Sequence, residues 1–158
     1  MGQEIERKFL VTDPESACRG GEATSIVQGY LSLDPDRTVR VRVRGGTGRL
    51  TVKGRAQGLT RVEHEWPIPL PDAQELLALC LPSLVEKTRH VVTFGDHEWE
   101  VDVFAGDNAG LVVAEVELSR EDEAVELPPW VGQEVSHDPA YTNSQLAQRP
   151  FGDWARDA

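Results

Sequence analysis

The chain has little of several things that would announce a familiar chemistry. It has two cysteines and four histidines in 158 residues. Cys18 and Cys80 stand apart, with no Cys or His at ligand spacing around them, which excludes a disulfide-stapled scaffold and a structural zinc site. No apolar run reaches membrane-spanning length and no signal-peptide pattern is present, so the expectation is a cytoplasmic protein with no membrane partner. Basic residues are outnumbered, 16 Lys and Arg against 27 Asp and Glu, for a net charge of −11; that argues against a nucleic-acid partner. "GGTG" is not followed by Lys-Ser or Lys-Thr, so it is not a P-loop, and no nucleophile-elbow context exists. His64, His90, His97 and His137 fall off the charged faces or in turns, and none is put forward as a general base. The four tryptophans read as core rather than as stacking platforms.

Linkers, low-complexity stretches and internal repeats are absent too, so one domain is expected over residues 1–158, with 150–158, Trp154 included, as a disordered tail. Gly and Pro divide the chain into short segments. "SIVQGYLSL", "TVRVRVR", "RLTVKGR", "TRVEHEWPI", "LVEKTRHVVTF", "HEWEVDVF" and "LVVAEVELSR" follow "QEIERKFLV" as strands. Asp13-Pro14 opens a short helix. "PDAQELLALCLP" reads as a helix with Asp72 and Glu75 at capping-box spacing, "SREDEA" as a helical turn, and "DPAYTNSQLAQ" as a helix capped by Asp138. About eight strands, mostly hairpin-linked, with a few helices, predict a mainly β (α+β) fold: an antiparallel barrel with flanking helices.

What the chain does have is charge arranged by strand period. Residues 1–65 carry 11 of the 16 Lys and Arg but only 9 of the 27 Asp and Glu. Within strands, like charges sit two residues apart and so share a face: Glu4 and Glu6 ahead of Lys8, Arg40 with Arg42, Glu63 with Glu65, Lys87 with Arg89, Glu115 with Glu117. Lys53 and Asp102 continue the set. Any one such strand is ordinary for a sheet with one wet face. Each like pair is mildly repulsive, however, and the repetition points to a ligand or counter-ions that relieve it. Closing the sheet leaves two solutions. Either the apolar rows point inward and the charges face water, or the charges line a tunnel and helices cover the apolar exterior; periodicity leaves both open.

A tunnel so lined would cradle an anion with Lys8, Arg40, Arg42, Lys53, Lys87 and Arg89, since Arg binds phosphate through paired hydrogen bonds and Lys as a point charge. Glu4, Glu6, Asp102, Glu115 and Glu117 are hard oxygen ligands suited to Mg²⁺ or Mn²⁺. Together they suit phosphoryl transfer on a metal–polyphosphate complex.

The chain resembles the CYTH, or triphosphate tunnel metalloenzyme, family. "EIERK" matches its E-x-E-x-K signature, and "QGYL", "VRVR", "LTVKG", "RVEHE", "EKTR", "EVDVF", "AEVEL" and "EVSHDPAYTNSQLA" follow in order over nearly the whole length. The resemblance implies an eight-stranded barrel with the charges inside. It implies Glu4, Glu6 and Glu117 as ligands of the metal on the phosphate chain, and Asp102 and Glu115 as holders of a second metal or the attacking water. Glu63 and Glu65 would support the tunnel or place water. Tyr30 would sit near the phosphates, and Lys87 would meet the leaving oxygen. It implies hydrolysis of a small triphosphate, inorganic triphosphate above all. The alternatives are an adenylate cyclase making cAMP from ATP and a non-catalytic polyphosphate binder. A homodimer is left open.

Overall fold

The computed structural model describes residues 3–154. Among these residues nine strands are formed: β1 (Gln3–Val11), β2 (Glu22–Ser32), β3 (Thr38–Arg44), β4 (Thr47–Lys53), β5 (Thr60–Ile68), β6 (Leu81–Phe94), β7 (His97–Ala105), β8 (Val112–Glu117) and β9 (Val131–Glu134). Three short helices accompany them: α1 (Pro14–Cys18), α2 (Leu70–Leu79) and α3 (Asn143–Gln148). The strand order is β5-β4-β3-β2-β6-β7-β8-β1, every pair antiparallel, and β1 also pairs with β5, so the sheet closes into an eight-stranded barrel. β9 stays outside the ring and adds to β1 through Phe9↔Glu134 and Val11↔Val131.

Alternation decides what faces where. On β7, Trp99 and Val101 point outward and are fully buried, while Glu100 and Asp102 point in. Trp99 packs against Phe9 and Trp130, with Ala17, Ala114, Val116 and Leu118 around them. This apolar exterior is covered by α1 and by the chain around Trp130, so the charged rows are left inside. α2 covers β2, β3 and β4 on the other flank. It lies so close that a side chain on Gly48 would meet the Cβ of Ala73 at 2.6 Å. The barrel is therefore built with its oily face outward under a thin coat of helix and loop.

A second apolar cluster closes one end. Tyr30, Val85, Phe104 and Val113 pack around Leu146 and Ala147 of α3, with Tyr141, Phe151 and Trp154 against them. Trp154 meets Tyr141 at 5.1 Å and Phe151 at 5.0 Å, both edge-on. Residues 150–154 of the expected tail thus fold back onto the barrel; 155–158 lie outside the described residues.

Three local expectations need correction. α2 begins after Pro69 with no side-chain cap, so Asp72 and Glu75 form no capping box. The expected helix from Asp138 is split: Asp138 caps a single 3₁₀ turn, Pro139–Tyr141, and α3 starts anew with Thr142 accepting from the Gln145 N–H. The segment around 119–124 makes turns but no helix. Among the described residues no helix is long and apolar enough to cross a membrane.

Trp99→Ala should lower the free energy of unfolding by about 3–5 kcal/mol, the range for truncating a buried aromatic, as read from urea denaturation. A loss below about 1 kcal/mol would show that the outer cluster does not hold the barrel's wall.

Candidate active site

The inward positions converge on one cavity of about 360 Å³. β1 contributes Glu4, Glu6 and Lys8; β3 contributes Arg40 and Arg42; β4 and β5 contribute Lys53, Glu63 and Glu65. Arg89, Glu115, Glu117 and Tyr30 complete the expected set that lines it. The register explains the meeting: Glu6 lies opposite Glu117 and Lys8 opposite Glu115 on β8, Lys53 opposite Glu63, and Tyr30 opposite Arg40. Two expected residues are brought near but not into the lining. Asp102, 1% exposed, gives its carboxylate to Arg89 at 2.8 and 2.9 Å and to Lys87 at 2.6 Å. Lys87 is sealed in behind it, its ammonium also bonded to Asn143 Oδ1 at 3.1 Å. The Asp102 carboxylate is thus engaged by two cations, and Lys87 lies one layer behind the wall.

Ion pairs satisfy part of the charge. Lys53 Nζ donates to Glu4 at 2.9 Å and lies 3.4 Å from Glu63. Lys8 Nζ lies 3.6 Å from Glu115, Arg89 reaches Glu100 at 3.2 Å, and Arg40 reaches Glu65 at 3.4 Å and Thr51 at 3.1 Å. Much of the charge is still crowded. Burial, and then repulsion from Glu115 and Glu4, pushes the Glu6 carboxyl well above its usual range. Burial and a hydrogen bond shared with Glu4 push Glu63 up to about 7 against the pull of Lys53. Burial, Arg40 and Arg89 push the Arg42 guanidinium down to about 9. Burial, Arg89 and Arg42 likewise push Lys87 down to about 7, although Asp102 opposes them. Lys87 and Arg89 hold Asp102 below the carboxylate range in spite of its burial and of repulsion from Glu115. Glu115 is held low in the same way by Lys8, Arg89 and Lys87.

The acidic rows fit a hard cation chemically. Among the described residues no three carboxylates, imidazoles or thiols already stand as a closed ligand set. But Glu4, Glu6, Glu115 and Glu117 line the same cavity, and the upward push on the Glu6 carboxyl from burial and its acidic neighbours is what a divalent ion would counter.

The wall also includes residues that the sequence reading left out. Arg44 extends the row of Arg40 and Arg42, Arg61 sits two places before Glu63, and Glu100 two before Asp102; strand period could have found all three. Gln28, fully buried, accepts from Arg42 Nε at 2.8 Å. Thr142, Asn143 and Ser144 form the floor at the end closed by α3, and nothing periodic points to them.

A closed antiparallel barrel with opposed basic and acidic rows inside is a triphosphate-tunnel architecture. Residues 2–149 match the CYTH domain, and the chain belongs to that family. It is 44% identical over 154 residues to the inorganic triphosphatase of Acetivibrio thermocellus, covering 96% of this chain and 97% of that protein. It is 39% identical over 149 residues to the inorganic triphosphatase of Nitrosomonas europaea, covering 91% and 96%. The crystal structure of the inorganic triphosphatase NE1496 superposes with a TM-score of 0.66 at 37% identity, over 91% of this chain and 97% of that one. The family implies a metal-dependent reaction on a triphosphate.

Arg42 is held charged at a cost inside the cavity, against burial and the neighbouring Arg40 and Arg89. Arg42→Met removes a strained charge but leaves the buried Gln28 oxygen without its donor, so the Tm of the free protein should change by less than roughly 5 °C while triphosphate binding weakens about tenfold or more, the scale of a charged hydrogen bond. A fall in the free protein's Tm of more than roughly 5 °C would make Arg42 a structural residue.

Proposed function

We propose that this protein hydrolyses inorganic triphosphate to pyrophosphate and orthophosphate with Mg²⁺ or Mn²⁺. The observation that carries this reading is the cavity wall: basic side chains from β1, β3, β4, β5 and β6 surround it, and Tyr30 is the lone aromatic ring among the described lining residues. Such a wall suits a short linear anion on all sides. A nucleoside would ask for a stacking face, which the wall does not offer. The names of the two relatives agree with this choice.

Each residue then has a task. Lys8, Arg40, Arg42, Lys53 and Arg89 hold the phosphate chain and fix the terminal phosphorus for in-line attack. Tyr30, opposite Arg40, adds a neutral donor to the phosphates. Glu63 and Glu65 place the attacking water, and Glu63, with its carboxyl near 7, takes the proton as the water oxygen bonds to phosphorus. The bridging P–O bond breaks, and pyrophosphate leaves as an anion neutralised by Arg42 and Arg89. Lys87 contributes positive field from behind the wall and Asp102 keeps Arg89 aimed. Glu4, Glu6, Glu115 and Glu117 would hold the divalent ion, which supplies charge neutralisation on the phosphate oxygens and a more acidic water.

Two measurements test this. Excess EDTA should abolish turnover, and Glu6→Gln should lower it by about two orders of magnitude, the scale of a lost electrostatic element. With metal restored, kcat/KM for inorganic triphosphate should exceed that for ATP, and no cAMP should form. Full activity in EDTA, preference for ATP, or cAMP as the main product would each contradict the proposal.

A further inference from the structure

Arg42 and Lys87 are joined through two neutral amides. Arg42 Nε donates to Gln28 Oε1 at 2.8 Å, Gln28 Nε2 donates to Asn143 Oδ1 at 3.1 Å, and Lys87 Nζ donates to the same Oδ1 at 3.1 Å. The Arg42 guanidinium can only donate, and Lys87, held on the Asp102 carboxylate at 2.6 Å, donates to Asn143 as well. Arg42 therefore draws the oxygen of Gln28 toward itself and turns its NH₂ toward Asn143. Lys87 draws the oxygen of Asn143 toward itself. Gln28 is fully buried, so it cannot trade these partners for water. The amide of Asn143 is left with one orientation, and its Nδ2 faces away from both donors.

That nitrogen has work left to do. Asn143 lines the cavity, and no described residue accepts a hydrogen bond from Nδ2. Its neighbours on the floor are already engaged. The Thr142 hydroxyl donates to the Pro139 carbonyl at 2.8 Å and accepts from the Gln145 N–H at 3.3 Å. The Ser144 hydroxyl lies 3.4 Å from that of Thr142. A cation at this point would be repelled by Lys87 and Arg42; an amide donates without adding charge.

We propose that Asn143 is a substrate-binding residue whose Nδ2 donates to a terminal phosphate oxygen at the floor of the cavity. This rests on the triphosphatase reading and deepens it. The α3 end is closed, so the chain stops where a terminal phosphate meets Asn143, and the site takes a short chain with a free end.

The test is calorimetric binding of imidotriphosphate, a non-hydrolysable triphosphate, with Mg²⁺, to wild type, Asn143→Ala and Asn143→Asp. The aspartate keeps an acceptor for Lys87 and Gln28 and replaces the donor with a second acceptor. Its free protein should melt at or above the wild-type Tm, yet bind about tenfold or more weakly, as for a lost hydrogen bond to a charged group. The alanine should also lose about tenfold, with the wild-type slope of log Kd against log salt, because no cation has left the wall. Unchanged affinity in both variants overturns the proposal. So does a shallower slope in Asn143→Ala, which would make Asn143 only a prop for Lys87. If the alanine does not fold, unchanged affinity in Asn143→Asp overturns it alone. Wild type that binds imidotriphosphate but does not turn over triphosphate contradicts the triphosphatase reading and leaves this comparison intact; wild type that does not bind contradicts both.

Discussion

Asp102 sits almost sealed inside the barrel with Arg89 on both of its oxygens and Lys87 on one of them. One anion thus holds two cations where water cannot. A charge in such a place is tolerated only when paired and hydrogen-bonded, and removing the carboxylate would leave two buried cations facing each other and Arg42. The clamp aims Arg89 into the cavity and sets Lys87 where it can reach Asn143. Through Asn143 and Gln28 the constraint passes to Arg42 on the far strand. The basic side of the site is therefore a connected frame rather than a set of independent side chains.

The acidic side has no such frame. Glu4, Glu6, Glu63 and Glu115 crowd one another, and Lys53 and Lys8 are shared among them. Glu6 and Glu63 respond by holding protons at pH values where carboxyls normally lose them. This asymmetry is a physical reason for the cavity to need both ligands. The framed cations suit an anion, and the crowding that raises Glu6 and Glu63 is what a bound cation would relieve.

Period-two alternation made most of the barrel legible. "TVRVRVR" and "TRVEHEWPI" are β3 and β5 to the residue, because each strand has one charged and one largely apolar face. Which face points inward was not legible from alternation; it depends on Trp130, α1 and α2 covering the exterior, and those contacts are long-range. Depth was not legible either. Lys87 and Arg89 share a face, yet one is behind the wall and the other lines it, since barrel stagger and not period sets how far each row reaches inward. β9 escaped because its four residues, "VGQE", carry no apolar alternation and owe their pairing to β1. Asn143 escaped because it enters the cavity from a helix that folds back over the barrel's end, and a lone Asn after Thr has no signal of its own.

An interior built from unmatched rows should be held together more firmly when ligand matches them. The most direct measurement is the Tm of the protein alone, with Mg²⁺, with imidotriphosphate, and with both, at constant ionic strength. Linkage predicts the largest rise with both ligands together, growing with their concentration, and little from the same ionic strength in NaCl. A Tm that does not move with Mg²⁺ and imidotriphosphate, or that NaCl raises equally, would contradict a cavity built to be completed by a metal-bound triphosphate.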